Sequence, residues 1–177
     1  MHELRAGRTG ALAALFERHH ARVYRFCLRM TGDRQTAEDL VQDVFMRMLK
    51  YSKTFKASST FDPWMFAITR NACADHWRST ARLDKTTAPT HEDEADEAAQ
   101  PERIAASAER EDLLHRALMA LPLERREVLL LSRFEYKKHE EIADILGCSV
   151  GAVRVRIHRA IKQLRDIYID LAQGALP

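Results

Sequence analysis

Three groups of residues have the types and spacing to do chemistry. Near the C-terminal end, Arg154, Arg156, Arg159, Lys162 and Arg165 fall within twelve residues, with Val155 and His158 among them. Arginine pairs bidentately with guanine in a DNA major groove and valine meets a thymine methyl, so this set suits base reading. A second group, Asn71, Asp75 and Arg78, recurs at i, i+4 and i+7, with Arg70 beside it and Lys53, Phe55 and Lys56 upstream. Such a polar strip can address base edges, and aromatics beside lysines can hold an unstacked base. Trp64 reads at least as well as a core residue. The third group, Asp39, Gln42, Asp43 and Arg47, is spaced by three and four. A face of this kind is usually only solvated, and is otherwise one that a partner reads.

Catalytic patterns are incomplete. His139-Glu140-Glu141-Ile142 begins like a zinc-protease motif, but Ala143 stands where the second His must be. Cys73 and His76 offer two potential ligands with no second pair at zinc-finger spacing. His19 and His20 are consecutive and point apart on a helix. There is no Gly-rich phosphate loop and no Ser or Cys nucleophile motif. The sequence therefore reads as a binding protein and not an enzyme, with no metal and no cofactor. Cys27, Cys73 and Cys148 are odd in number and widely spaced, which argues against a disulfide framework and for buried thiols in a reducing cytoplasm.

The elements that must position these groups are helical. In Ala37–Lys50, the apolar residues Ala37, Leu40, Val41, Val44, Phe45 and Met48 form one stripe, with a break and cap at Thr31-Gly32-Asp33. Upstream apolar residues from Leu12 to Met30 give one long helix or two shorter ones, and Tyr51–Thr60 reads as a loop. Asp62-Pro63 opens a helix running to Arg82, with Pro in the first turn. Helical pattern resumes at Leu113, and Pro122 ends that helix and begins another. Glu140–Leu146, the break Gly147-Cys148-Ser149 and a helix from Val150 to about Leu171 have the layout of a helix-turn-helix. In its second helix Val150, Val153, Ile157, Ala160, Ile161 and Leu164 form the expected buried stripe, and Val155, His158, Arg159 and Lys162 lie opposite, flanked by Arg154 and Arg156.

With 177 residues, 46% hydrophobic and 31% charged, the composition is globular and allows one ordinary domain or two small ones. No apolar run approaches the roughly 20 residues of a membrane span, and Met1–Gly10 lacks a signal-peptide core. The net charge of +2 conceals a division: residues 1–82 sum to +6, residues 83–112 to −7 and residues 113–177 to +3. Thr86–Gln100 has a dense run of acid and no bulky apolar side chain, the composition of a flexible spacer. The expectation is an all-α protein of two small helical domains, 1–82 and 108–177, joined by a flexible acidic linker over 83–107.

Several motifs in this order resemble the sigma-70 family of RNA polymerase sigma factors, in its compact extracytoplasmic-function (ECF) type. Ala37-Glu-Asp-Leu-Val-Gln-Asp-Val-Phe45, Trp64-Met-Phe-Ala-Ile-Thr-Arg-Asn71 and Asp75-His-Trp-Arg78 resemble sigma region 2. Leu121-Pro-Leu-Glu-Arg-Arg-Glu-Val-Leu-Leu-Leu131 and the helix-turn-helix resemble sigma region 4. The resemblance spans about residues 11–172, with no sigma region 3 between the blocks. It implies that Asp39, Gln42, Asp43 and Arg47 dock on the β′ clamp helices of core RNA polymerase, with the β subunit a further contact. It implies −10 recognition and melting by Lys53, Lys56, Arg70, Asn71, Asp75 and Arg78. For the −35 duplex it implies reading by Arg154, Val155, Arg156, His158, Arg159 and Lys162. Asp43 stands where the family often has Glu, and Ala152 where it often has Thr. A dedicated anti-sigma factor is a further implied partner. The rival reading is a helix-turn-helix regulator that binds duplex DNA without joining the polymerase core.

Overall fold

The computed structural model describes residues 4, 10–56, 60–83 and 101–174, and among them every regular element is helical. Helix α1 spans Gly10–Thr31 and α2 spans Arg34–Lys50. Gly32 lies between them at φ +74°, a left-handed conformation that glycine adopts without a Cβ penalty. Asp33 then caps α2 by accepting a 2.7 Å hydrogen bond from the Thr36 amide, as the sequence predicts. All six stripe residues of α2, from Ala37 to Met48, are buried. A short 3-10 turn at Ser52–Thr54 precedes α3, Phe61–Leu83, and α1 reads as one helix.

Helix α4 spans Pro101–Met119 and so begins well before Leu113, where apolar periodicity resumes. The intervening sequence is rich in Ala and Glu with Pro at its start, and both favour helix without needing an apolar face. The linker reading thus meets a helix over 101–107, while residues 84–100, which hold most of its acid, lie outside the described residues. Helix α5, Leu123–Leu129, follows Pro122 and runs into a wider turn at Leu130–Phe134, where the Glu135 amide bonds the Leu130 carbonyl at 3.0 Å. Helix α6 is His139–Leu146 and α7 is Val150–Ala172. Gly147 at φ +62° ends α6, and Ser149 caps α7 with a 3.2 Å bond from the Ala152 amide.

Helices α1 to α3 pack around Phe26, Met30, Val44, Met48, Met65 and Phe66, and α4 to α7 around Val128, Leu131, Ile142, Val153 and Ala160. The two bundles do not stand apart. Helix α1 lies against α4 and α5, and α3 against α6. A single apolar cluster consequently runs from Val23 to Ala160. Polar ties cross the same seam. Arg126 of α5 is 4% exposed and donates to the carbonyls of Met30, Met119 and Leu121. Arg22 of α1 pairs with both Asp62 and Glu135 at 2.6 Å, and Lys137 reaches Asp62 at 2.7 Å.

The stripe expected to be buried on α7 is so only in part, with Val150 and Leu164 half-buried. Ile161 is 37% exposed, although the wheel puts it in the buried stripe of α7. It sits at the edge of that stripe, where it shares an open groove with Leu114 and Leu164. Trp77 is 36% exposed, at the far end of α3, where its ring lies 6.0 Å from the Arg126 guanidinium. Cys27 and Cys73 are buried with their sulfurs 3.9 Å apart, and this contact, with burial adding to it, pushes the Cys27 thiol up. Such thiols behave as small apolar residues, as the sequence predicts, but Cys148, in the turn before α7, is only half-buried.

Candidate nucleic-acid and partner interfaces

The helix-turn-helix presents its basic face cleanly. Val153, Ile157 and Ala160 of α7 are buried against α5 and α6, which fixes the rotation of the helix. Arg154, Val155, Arg156, His158, Arg159 and Lys162 all fall on the exposed side. Val155 is 48% exposed, an apolar side chain left in solvent between two arginines. The structure brings these six residues together on one face, as a major-groove reading requires.

The strip on α3 is less free. Asn71 is exposed, and its side-chain oxygen accepts from Arg70 at 3.2 Å. Arg70 also reaches across the seam to Glu127 of α5 at 3.1 Å, and the Glu127 side chain is only 5% exposed. Burial pushes the Glu127 carboxyl above its ordinary range, and the positive charge of Arg70 offsets part of that rise. Asp75 is shared between Arg47 at 2.5 Å and Arg78. The hydrogen bond from Arg47 holds its carboxyl below the usual carboxylate range. Lys53 and Lys56 are exposed on the loop after α2, but Phe55 between them is buried and packs edge-on against Trp64 at 5.4 Å. Phe55 is therefore a floor for that loop and not a free stacking surface. Trp64, half-buried, packs against the core, which agrees with the bland reading of it. Loop residues 57–59 lie outside the described residues.

On α2, Asp39 and Gln42 are exposed and Asp43 is half-exposed, so these three share an outward face. Arg47 turns inward, with its Nε 2.8 Å from Asp43 and its side chain 26% exposed. Sequence reasoning missed Met46, which is 61% exposed one turn beyond Gln42. The signal was present: Met46 lies outside the buried stripe at i+7 from Asp39, an apolar side chain on a polar face. A cleft of about 380 Å³ between α2 and α3 joins the two groups and is lined by Asp39, Asp43, Arg47, Asp75, His76 and Ser79, among others. Among the described residues no cluster of three or more His, Cys, Asp or Glu is placed to hold a metal ion.

An all-helical fold that exposes a basic recognition helix behind a capped turn defines a helix-turn-helix protein. The comparisons narrow the class. Residues 15–83 match the family model for Sigma-70 region 2, and residues 111–164 that for Sigma-70 region 4. The chain is 33% identical over 171 residues to the RNA polymerase sigma factor CarQ of Myxococcus xanthus, covering 97% of each. It is 32% identical to the ECF RNA polymerase sigma factor SigL of Mycobacterium tuberculosis, covering 90% of each. To the ECF sigma factor SigE of Mycolicibacterium smegmatis it is 36% identical over 153 residues, which are 86% of this chain and 59% of that relative's length. Among solved structures, the sigma factor RpoE in complex with the anti-sigma factor NepR from Bartonella quintana shares the fold at a TM-score of 0.72 and 22% identity, covering 88% of this chain and 94% of RpoE. CnrH, in complex with the cytosolic domain of CnrY, superposes at 0.66 with 25% identity, covering 93% and 92%. The chain belongs to the sigma-70 family, in its ECF subfamily.

Proposed function

We propose that this protein binds core RNA polymerase and directs initiation at promoters with two recognition elements. Helix α7 reads the −35 element as duplex through Arg154, Val155, Arg156, His158, Arg159 and Lys162. The observation that carries this is the exposure of all six residues on a helix whose opposite face is locked in the core. Arg70, Asn71, Asp75 and Arg78, with Lys53 and Lys56, engage the −10 element, whose unstacking is offset by contacts to the opened strand. Asp39, Gln42 and Asp43, with Met46 as an apolar anchor, form the docking face for the clamp helices of the polymerase β′ subunit. An anti-sigma factor is the second protein partner, in line with the complex with the anti-sigma factor NepR in which RpoE was solved. The work is differential binding in the cytoplasm, with no catalytic step and no cofactor.

Run-off transcription with purified core polymerase tests the reading. Promoter-specific transcripts that depend on this protein are expected. Sequence-specific duplex binding without any affinity for core would instead establish the helix-turn-helix regulator. Asp39→Arg with Gln42→Ala is expected to abolish promoter-specific transcripts in this assay and core binding in a pull-down, with the helical circular-dichroism signal at the wild-type level.

A further inference from the structure

We propose that Arg47, on the proposed docking helix α2, is a positioning residue that holds Asp75 and Arg78 of α3 in the arrangement that meets the −10 strand. The inference rests on the function proposed above, and it gives Arg47 a different role from the polymerase contact that the family resemblance implies.

The guanidinium works as a fork. Its Nε pairs with Asp43 of its own helix at 2.8 Å, and its Nη1 pairs with Asp75 Oδ2 of the neighbouring helix at 2.5 Å. The other Asp75 oxygen, Oδ1, accepts from Arg78 Nη2. Both carboxylate oxygens are thus engaged, which fixes the plane of Asp75 and the direction of Arg78. Exposure separates the roles. Arg78 is 71% exposed and reaches solvent, whereas Arg47 at 26% lies along the wall of the cleft between the helices. Asp39 and Asp43 line that cleft together with Asp75. Removing Arg47 takes the shared cation away from Asp43 and Asp75, so their repulsion and the freed rotamers displace the strip. Lysine is not equivalent, because its compact ammonium lacks the planar fork whose Nε and Nη1 reach carboxylates on two different helices.

The test uses holoenzyme reconstituted with core polymerase and carrying wild-type, Arg47→Ala, Arg47→Lys or Asp75→Ala protein. A single-stranded −10 sequence is first selected from a random library with wild-type holoenzyme. Core affinity is then measured by fluorescence anisotropy, and affinity for that oligonucleotide is compared with that for single-base variants. Both Arg47 variants are expected to lose about tenfold in discrimination between matched and mismatched bases, the scale of one charge-assisted contact, whatever the unpaired Asp43 costs in core affinity. Combining Arg47→Ala with Asp75→Ala is expected to add no loss beyond that of Asp75→Ala alone, because Arg47 acts through Asp75. A fall in core affinity with discrimination intact makes Arg47 a docking contact and overturns the proposal. Full discrimination in both Arg47 variants overturns it too. If wild-type protein fails to bind core at all, the function itself falls, and this assignment with it.

Discussion

Val155 and Tyr136 are exposed for different reasons, one open to a ligand and one set by the backbone. Val155, 48% exposed, contributes little to the core from the middle of a rigid helix, but an apolar side chain there suits a thymine methyl. In the function proposed above, its neighbours carry the sequence reading. Arg154→Ala or Arg159→Ala is expected to cost about 1–3 kcal/mol at one −35 position and to relax the base preference there, measured by competition binding of duplex variants. Lys162→Ala is expected to weaken all duplexes alike and to lower the salt slope of binding by about one ion. Tyr136 is 85% exposed and sits at φ +50°, where a side chain is strained. It occupies the left-handed stop after α5 and its wide turn, and the Lys137 amide closes that stop on the Leu131 carbonyl at 3.0 Å. Tyr136→Gly removes the strain and adds some unfolded-state entropy, so a net gain of roughly 0.5–1 kcal/mol is expected in urea unfolding.

The elements are set by their ends as much as by their stripes. Asp33 and Ser149 each cap the helix that bears a proposed recognition surface. The Thr36 hydroxyl and amide draw the Asp33 carboxyl below its ordinary range. Asp33→Ala is expected to cost about 1 kcal/mol and to fray the first turn of α2, visible as faster amide exchange at Thr36. Helix α4 shows the converse case. It begins at Pro101 in a stretch with no apolar stripe, so hydrophobic periodicity found its second half and missed its first. Intrinsic propensity, a weaker signal, was the only one available there.

At the scale of the molecule, the seam between the two bundles is the main feature. Arg126 is buried at its centre, and burial lowers its pKa to about 10, an unfavourable setting tolerated because carbonyls from both bundles accept its hydrogen bonds. Arg126→Ala leaves those carbonyls unpaired in the core. A loss of about 3 kcal/mol is expected, with a larger radius of gyration in small-angle scattering as the bundles separate. The seam also responds to acid. Burial raises the pKa of Asp62, but the hydrogen bonds from Lys137 and Arg22 outweigh it and hold the carboxyl below 3.8. The stability Asp62 contributes is therefore whole above that value and drains away as pH falls below it. Glu127 has the opposite sign: its raised pKa favours the fold below 4.5, and that contribution is lost as pH rises. Asp62→Asn is thus expected to destabilise at pH 7 and to flatten the acid limb of stability against pH, read by urea titration at each pH.

The sequence by itself determined the two bundles, every helix but the first half of α4, and the exposed basic face of α7, because these depend on periods and caps that lie within a few residues of one another. The stripe of α2, the Gly147 stop and the Ser149 cap all follow from such local rules. The six outward residues of α7 follow from 3.6-residue geometry once Val153, Ile157 and Ala160 face the core. Only the tertiary structure decided which polar residues meet. Arg47 lies 28 positions from Asp75, and Arg70 lies 57 positions from Glu127. Nothing in either local pattern announces those pairings, since a charged residue on a helix surface looks the same whether it faces water or another helix. Packing brings the helices into register, and the ion pairs follow from that register. For this reason Arg47 reads as a docking residue in one dimension and as the link between two surfaces in three.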